Sequence, residues 1–378
     1  MDRRQLKIIK NIDWERSQFL GMFPVCKKKY NFEKTRSMKS HQTTIIDIAH
    51  ELKISKSTVS RALIGHPNVK HATRVAILEL AEKMDYQRNM HAISLITRKS
   101  NTLGVIVPEF RSSYFPEIII GAQTAAAAAG YNIIISQSNE SYETEVANTR
   151  VMLANQVDGI MISMTKETRN YDHFKVFQRK GIPIVFFNRV CDEMKVPKVV
   201  VDDYDGAFKV VEHLLAIGKT KIAHLTGPDS LSMSVKRLNG YMDALKKHQI
   251  EINEEWIIPY DLSIPKVSIY VNHLLNLKNP PNAIFAINDP TAIEAIQVIK
   301  KAGLHIPNDI AVAGFSNDYI SALIEPSLTT MSQPVQKIGI KAVELLIDQI
   351  KRDVKDWKAV THVLKTELIV RQSTLASR

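Results

Sequence analysis

A short run of small polar and cationic side chains, Ser-Lys-Ser-Thr-Val-Ser-Arg, has the composition of a DNA-reading helix. Ser55 can cap a helix that begins here, because its hydroxyl can accept a backbone N–H. On that helix Val59 would face inward, and Lys56, Ser57 and Arg61 would face outward. Cationic and hydroxyl donors on one helix face can reach base edges and phosphates, so the run predicts DNA recognition. A generic three-helix bundle with a solvated polar face is the alternative.

A second set of polar and aromatic side chains directly follows apolar runs of strand length, and Arg237 opens a further motif, RLNGY. Parallel α/β sheets bind ligands at the carboxyl ends of their strands, so these side chains predict a small-molecule pocket. Two arginines, a carboxylate and aromatic faces suit a polyol, a sugar, a phosphosugar or a purine. The alternatives are that the aromatic pair is core and that Arg237 and Asp289 form a structural ion pair. The set is Tyr114, Phe115, Asn188, Arg189, Arg237 and Asp289.

The elements that carry the two sets change in character along the chain. Between Ile45 and Tyr86 the apolar residues recur at helical spacing, which predicts three short helices. After Thr102, apolar strands alternate with helical segments, which predicts parallel sheets covered by helices on both faces. About 275 residues is large for one such sheet, so two similar lobes are expected. The predicted strands are Leu103–Val107, Ile133–Ile135, Gly159–Ile162, Ile182–Phe187, Val199–Val201, Ile222–Leu225, Ile284–Ile287 and Ile310–Phe315, and the predicted helices are Pro116–Ala129, Glu143–Asn155, Tyr204–Ile217, Val235–His248 and Thr291–Ala302.

The positive charge is concentrated at the amino-terminal end. Residues 1–100 hold 20 Lys+Arg and 9 Asp+Glu, a balance of +11, and the other 278 residues balance to zero. An excess of this kind favours a polyanionic partner, although a basic tail with no partner is the alternative. We predict a disordered basic arm (1–42), a helix-turn-helix domain (43–88), a hinge (89–101) and a two-lobed effector-binding and dimerisation domain (102–378).

The sequence argues against an enzyme, a membrane protein and an exported protein. Gly218-Lys219-Thr220 has His213 where a phosphate-binding loop needs its first glycine, and it follows a helix. Gly314-Phe315-Ser316-Asn317-Asp318 lacks the second glycine of a nucleophile elbow. The two cysteines have no disulfide or metal spacing, and the first residues have no signal-peptide pattern. We therefore expect a non-enzymatic, cytoplasmic protein without cofactor, metal or membrane span, and not an exported solute-binding protein.

The motifs taken in order resemble the lactose-repressor/galactose-repressor (LacI/GalR) family of transcription regulators. The resemblance begins with DIAHELKISKSTVSRAL and TRVAILELAEKMDY and covers about residues 43–374. It continues through LGVIVPEF, YFPEIIIGAQTAAAAAGY, DGIMI, RLNGY, AIFAIND, IPNDIAVAGFSND, PSLTTMSQP and LIVRQST. It implies an α/β fold with an N-terminal three-helix helix-turn-helix domain and a two-lobed, periplasmic-binding-protein-like domain with parallel sheets.

For DNA binding, the resemblance implies a reading helix in the major groove and a hinge helix in the minor groove. Lys56 and Ser57, with Thr58 beside them, would contact bases, and Arg61 would contact a base or a phosphate. Backbone-positioning sites match Asn68 and Asn89, and minor-groove positions match Ala92 and Leu95, with Leu95 as an apolar wedge. One departure is Lys53, which stands where the family usually has glycine, so a left-handed backbone there would cost about 1–2 kcal/mol.

For regulation, the resemblance implies a repressor whose operator affinity is controlled by a small-molecule effector, a sugar or sugar derivative. Tyr114 and Phe115 match an aromatic pair of a purine-responsive member, while Arg237, Asp289 and Gln333 match effector-contacting positions. Leu231 and Met233 stand at two purine-contacting positions, which disfavours a purine. The family also implies a homodimer on a pseudo-palindromic operator in double-stranded DNA.

Overall fold

The chain divides into two compact units between Arg88 and Asn89. The structure, a computed structural model, describes residues 43–87 and 99–375. The predicted arm at 1–42 and most of the predicted hinge, residues 89–98, therefore lie outside the described residues. Among the described residues, none of the helices combines the length and apolar character that a membrane crossing requires.

Within its described residues, 43–87, unit one has the three predicted helices, α1 (Ile45–Glu51), α2 (Lys56–Leu63) and α3 (His71–Lys83). Thr44 begins α1 with a capping box, in which its hydroxyl accepts from the backbone N–H of Asp47 and the Asp47 carboxylate accepts from the backbone N–H of Thr44. Helices this short are marginal alone, so a shared apolar core must hold them. That core contains Ile48, Ala49, Val59, Ala62, Val69, Ile77 and Ala81.

The first lobe of unit two is a six-stranded parallel sheet with strand order β11-β5-β4-β3-β1-β2. Its central strands are buried on both faces, as the near-continuous apolar runs predicted. The strands are β1 (Thr102–Val107), β2 (Asn132–Gln137), β3 (Gly159–Ile162), β4 (Ile184–Phe187), β5 (Lys198–Val201) and β11 (Thr361–Leu364), and the helices are α4 (Tyr114–Ala128), α5 (Tyr142–Ala154), α6 (Asp172–Arg179) and α11 (Val335–Lys351).

The second lobe has a six-stranded sheet of strand order β12-β10-β9-β8-β6-β7, parallel except for the β10–β12 pair. Short 3-10 turns lie at Glu254–Trp256 and Tyr319–Ala322 in this lobe, and a third, Val354–Asp356, lies between α11 and β11 of the first lobe. The strands are β6 (Ile222–Thr226), β7 (Ile257–Pro259), β8 (Ala283–Ala286), β9 (Ala311–Ser316), β10 (Thr329–Ser332) and β12 (Glu367–Ile369), and the helices are α7 (Asp203–Ala216), α8 (Ser232–Lys247), α9 (Ile264–Leu275) and α10 (Asp289–Lys301). The predicted fold class is confirmed.

The chain passes between the lobes three times, after β5, after β10 and after β11. The second crossing brings α11 back to the first lobe, where it packs on α4. The two helices approach so closely that a Cβ at Gly121 would overlap the backbone of Gln336, and one at Gly339 would overlap that of Ile118. These crossings place the carboxyl ends of both sheets opposite one another, because residues after β1 and β3 bond to residues after β9 and β7.

Candidate functional site

Helix α2 presents the polar face that the sequence predicted. Ser55 caps the helix, since its Oγ accepts from the backbone N–H of Thr58 at 3.1 Å. Val59 is fully buried, whereas Lys56, Ser57 and Arg61 are exposed and Thr58 is half-buried. A rigid helix that carries two exposed cationic side chains and a hydroxyl on its outer face can read a groove of DNA. Whether these residues contact DNA stays a prediction.

The turn between α1 and α2 contains Lys53, whose φ of 53° lies in the left-handed region. A lysine is strained there, whereas glycine adopts this conformation at no steric cost. The lysine in place of glycine therefore strains the backbone of this turn, and the turn forms nevertheless.

We expect Lys53→Gly to stabilise unit one by about 0.5–1 kcal/mol, because relief of the strain exceeds the entropy that glycine loses on folding. The measurement is the unfolding transition of unit one by calorimetry on the full chain. Lys53→Ala is the matched control, since it removes the same side chain but keeps the Cβ and so should bring no gain. A glycine variant no more stable than the alanine variant would contradict the strain.

The other predicted DNA contacts differ in what the structure says of them. Asn68 is exposed just after α2, and its backbone N–H donates to Nδ1 of His66 at 3.2 Å. Arg74 fixes the same loop, donating from Nη2 to the carbonyl of His66 at 2.7 Å. The Asn68 side chain is exposed beside this fixed loop, and its contact with a phosphate stays a prediction. The three predicted hinge contacts, Asn89, Ala92 and Leu95, lie outside the described residues.

A cleft of about 450 Å³ opens between the lobes of unit two. Its rim is bridged by Ser113, whose backbone N–H and hydroxyl donate to Oδ2 of Asp318 at 2.9 and 3.0 Å. Of the predicted effector residues, Tyr114 and Gln333 line this cleft. The lining residues are Ser113, Tyr114, Glu117, Ser316, Asn317, Asp318, Tyr319, Gln333, Pro334, Val335, Gln336 and Lys337.

Three predicted effector residues meet at the Tyr114 hydroxyl. It donates toward Oε1 of Gln333 at 2.9 Å and lies 3.2 Å from Oδ1 of Asn188. Burial raises the pKa of Tyr114, and the nearby charge of Arg237 lowers it by a smaller amount. Tyr114 and Asn188 belong to the first lobe and Gln333 lies on a crossing, so this polar group connects the lobes. Phe115 lies beneath it, only 3 % exposed, with its ring against Tyr114 and Phe187 in the core.

The two predicted arginines are each paired with a carboxylate. The Arg237 guanidinium, 1 % exposed, donates from Nε and Nη2 to Oδ1 of Asp203 at 2.9 and 2.8 Å. It also donates to the carbonyl of Ile287 and stacks 3.6 Å from the centroid of Phe315. The ion pair that was the alternative for Arg237 and Asp289 is therefore formed with Asp203 instead.

Arg189 is held in the same way in the first lobe. Its Nη1 lies 2.8 Å from both carboxylate oxygens of Glu140, and the Arg189 side chain is 8 % exposed. Glu140 has a φ of 60° and follows another left-handed residue, Asn139 with a φ of 53°. Strained residues of this kind persist where the surrounding contacts fix them, and they cluster at ligand sites.

Asp289 is fully buried and already accepts three protein hydrogen bonds. Its Oδ1 accepts from Thr330 at 2.5 Å, and its Oδ2 accepts from the Ser321 hydroxyl and the Asp318 backbone, each at 2.7 Å. Burial raises the pKa of Asp289, and these hydrogen bonds oppose the rise. In this conformation the carboxylate anchors the Asp318 loop, so it shapes the cleft from behind and does not face it.

The sequence reasoning missed several polar cleft residues, above all Ser113 and the segment Ser316-Asn317-Asp318. Ser316 and Asn317 have φ values of 142° and 57°, and Gln333 donates from Nε2 to Oγ of Ser316 at 3.3 Å. The segment directly follows β9, and a position directly after a strand is the same signal that indicated Asn188. The apolar pair that disfavours a purine, Leu231 and Met233, is buried in the second-lobe core.

Comparisons with known proteins agree on both units. Residues 44–89 match the model of bacterial regulatory proteins of the lacI family, and residues 100–368 match that of periplasmic binding proteins and the sugar binding domain of the LacI family. Catabolite control protein A of Priestia megaterium is 32 % identical over 332 residues, 88 % of this chain and 99 % of the relative. The matched families and relatives are transcriptional regulators, not enzymes.

Solved structures give the same result in three dimensions. A lac repressor dimer bound to operator and the anti-inducer ONPF is similar with a TM-score of 0.78 at 25 % identity, covering 88 % of this chain and 99 % of that one. A complex of the transcriptional regulator CelR with cellobiose is similar with a TM-score of 0.67 at 25 % identity and the same coverage.

Proposed function

The chain belongs to the LacI family of bacterial regulatory proteins, and we propose that it is a cytoplasmic repressor that binds its operator as a homodimer. The observation that carries DNA binding is the capped helix α2 with Lys56, Ser57 and Arg61 on its exposed face. With two copies, two such helices read a pseudo-palindromic site one helical turn apart. Thr58, Asn68, Asn89, Ala92 and Leu95 complete the proposed contact set.

The effector site of this proposal is the interlobe cleft around Tyr114, Asn188 and Gln333. Their hydroxyl and amide groups offer both donors and acceptors, which suits a ligand with several hydroxyl groups. Arg189 and Arg237 contribute by holding the walls in place. Phe115 supports Tyr114 from below, and Asp289 fixes the wall formed by Asp318.

The charges of the cleft favour an uncharged ligand over a phosphorylated one. The charge of Arg189 is balanced by Glu140 and that of Arg237 by Asp203, so a phosphate would have to compete with a carboxylate that is already in place. The charged side chains that line the cleft, Glu117, Asp318 and Lys337, sum to −1. Of the ligand classes that the sequence left open, a neutral sugar or polyol fits best.

Regulation follows from contacts that the two lobes make across the cleft. Besides the Ser113–Asp318 bonds, Lys166 of the first lobe donates from Nζ to the carbonyl of Asp261 in the second at 2.6 Å. A ligand that binds one arrangement of the lobes better shifts the population toward it. Because the chain passes from the DNA-binding unit into β1 of the first lobe, that shift can change operator affinity, with a typical coupling of about 1–3 kcal/mol.

The test uses a fluorescent operator that the purified protein itself selects from random duplexes. Anisotropy is measured with and without glucose, ribose or cellobiose, and with glucose 6-phosphate or ribose 5-phosphate. We expect selection of a two-fold symmetric site and an uncharged ligand that changes its Kd by roughly 5- to 150-fold. Failure to enrich any sequence would contradict the regulator. A response to the phosphorylated sugars but not to their uncharged parents would contradict the effector class.

A further inference from the structure

A basic segment lies at the amino edge of the first-lobe sheet, the edge at which the chain enters unit two. Here Asp158, one residue before β3, accepts at Oδ1 from the backbone N–H of Ser100 at 2.8 Å and at Oδ2 from that of Asn101 at 2.9 Å. Helix α11 ends at the same edge, because a Cβ on Gly159 would touch the side chain of Ile350 in its last turn. The residues that follow α11 are Arg352-Asp353-Val354-Lys355-Asp356-Trp357-Lys358.

This segment is held firmly against the sheet. The indole of Trp357 donates from Nε1 to the carbonyl of Gln349 at 2.9 Å. Val354 lies 3.5 Å from the Cβ position of Gly181, in the turn between α6 and β4. At its far end, the carbonyl of Val360 accepts from the backbone N–H of Lys198 at 2.9 Å, where β5 begins. Its exposed side chains are therefore presented in a defined place.

Cations predominate on the segment and on the turn beside it. We call Arg179, Lys180, Lys351, Arg352, Lys355 and Lys358 the basic edge; all six are exposed. Three carboxylates accompany them, Asp348, Asp353 and Asp356, of which the first two pair with Arg352 and Lys355. Within residues 43–87 and 99–375, Lys180, Lys351 and Lys358 have no carboxylate within ion-pair distance. This excess lies in a part of the chain whose overall charge is balanced.

We propose that the basic edge binds backbone phosphates of duplex DNA next to the site read by α2. Solvated lysines on an exposed surface attract phosphates without reading sequence, and each contact releases counterions. Chain connectivity selects DNA as the partner. From Gln87 to Lys99 the chain takes twelve steps, which span at most about 40 Å when fully extended. A duplex held by α2 is therefore kept at a high local concentration near this edge. No such tether raises the local concentration of another polyanion.

The proposal rests on the proposed DNA-binding function, and its test separates the two. Binding of the full chain to a 60-base-pair duplex of random sequence is measured by anisotropy between 50 and 200 mM salt. The triple variant Lys351→Gln/Lys355→Gln/Lys358→Gln is compared with Lys246→Gln/Lys278→Gln/Lys301→Gln, three exposed second-lobe lysines with the same loss of charge. Equal melting temperatures establish that both variants fold.

We expect the slope of log K against log salt to fall in magnitude by about 2–3 for the basic-edge variant, since each phosphate contact contributes about 0.9. The control variant should keep the wild-type slope. Equal slopes for the two variants overturn the proposal. Equal slopes are also expected if the basic edge binds an acidic protein instead of DNA. If the wild type binds no duplex at all, the DNA-binding function itself is contradicted, whereas retained wild-type binding with equal slopes contradicts the basic edge alone.

Discussion

Replacing Arg237 by Met is expected to lower the free energy of unfolding of unit two by about 3–5 kcal/mol, because it leaves the Asp203 carboxylate buried without its cation. Asp203 is 4 % exposed, and burial raises its pKa even with the guanidinium beside it. The carbonyl of Ile287 would lose a donor as well, and the ring of Phe315 would lose its stacked cation. Calorimetry on the full chain measures the effect.

The double variant Arg237→Met/Asp203→Leu is the control for this prediction. It removes both charges and replaces them with apolar groups of similar size, which is often neutral for a buried ion pair. We therefore expect most of the lost stability to return in the double variant, while both variants lose the effector response because the wall of the cleft has changed. A single variant as stable as the wild type would mean that the pair contributes nothing to folding.

The helix-turn-helix could be predicted from the sequence because its determinants are local. Ser55 caps α2 through a residue three positions away, and the inward position of Val59 follows from helical spacing alone. The long apolar strands of both lobes were predictable for the same reason. By contrast, β11 and β12 have only four and three residues, none of them fully buried, so no apolar run marks them. Helices α6, α9 and α11 were also missed, although each has a buried face.

The candidate effector site was predictable only in part, because position along a strand does not specify a partner. That Tyr114 and Asn188 would come together follows from the shared carboxyl edge of one parallel sheet. The pairing of Arg237 with Asp203 instead of Asp289 could not be predicted in this way, because it depends on how α7 and α8 pack. The crossing after β10, which delivers Gln333 to the cleft, is a feature of topology that no local pattern reveals.

Replacing Lys56 or Arg61 by Ala is expected to weaken operator binding by about 1–3 kcal/mol each, roughly 5- to 150-fold in Kd. Both side chains are exposed, while the core contacts of α2 come from Val59 and Ala62 on the opposite face. The variants should therefore fold as the wild type does and lose only affinity. Lys83→Ala, in the last turn of α3, is the matched control and should change operator affinity little.

The pattern of the loss distinguishes the two kinds of contact that α2 could make. If Lys56 reads a base edge, Lys56→Ala relaxes discrimination at one operator position and leaves nonspecific binding nearly intact. If Arg61 contacts a phosphate, Arg61→Ala weakens all sequences about equally and lowers the salt slope by about 1. Operator variants and a salt series, measured on the wild type and on the Lys56→Ala, Arg61→Ala and Lys83→Ala variants, give both quantities. An affinity loss no greater than that of Lys83→Ala would contradict the assignment of α2 as the reading helix, because the exposed cations of α2 would then not contact the DNA.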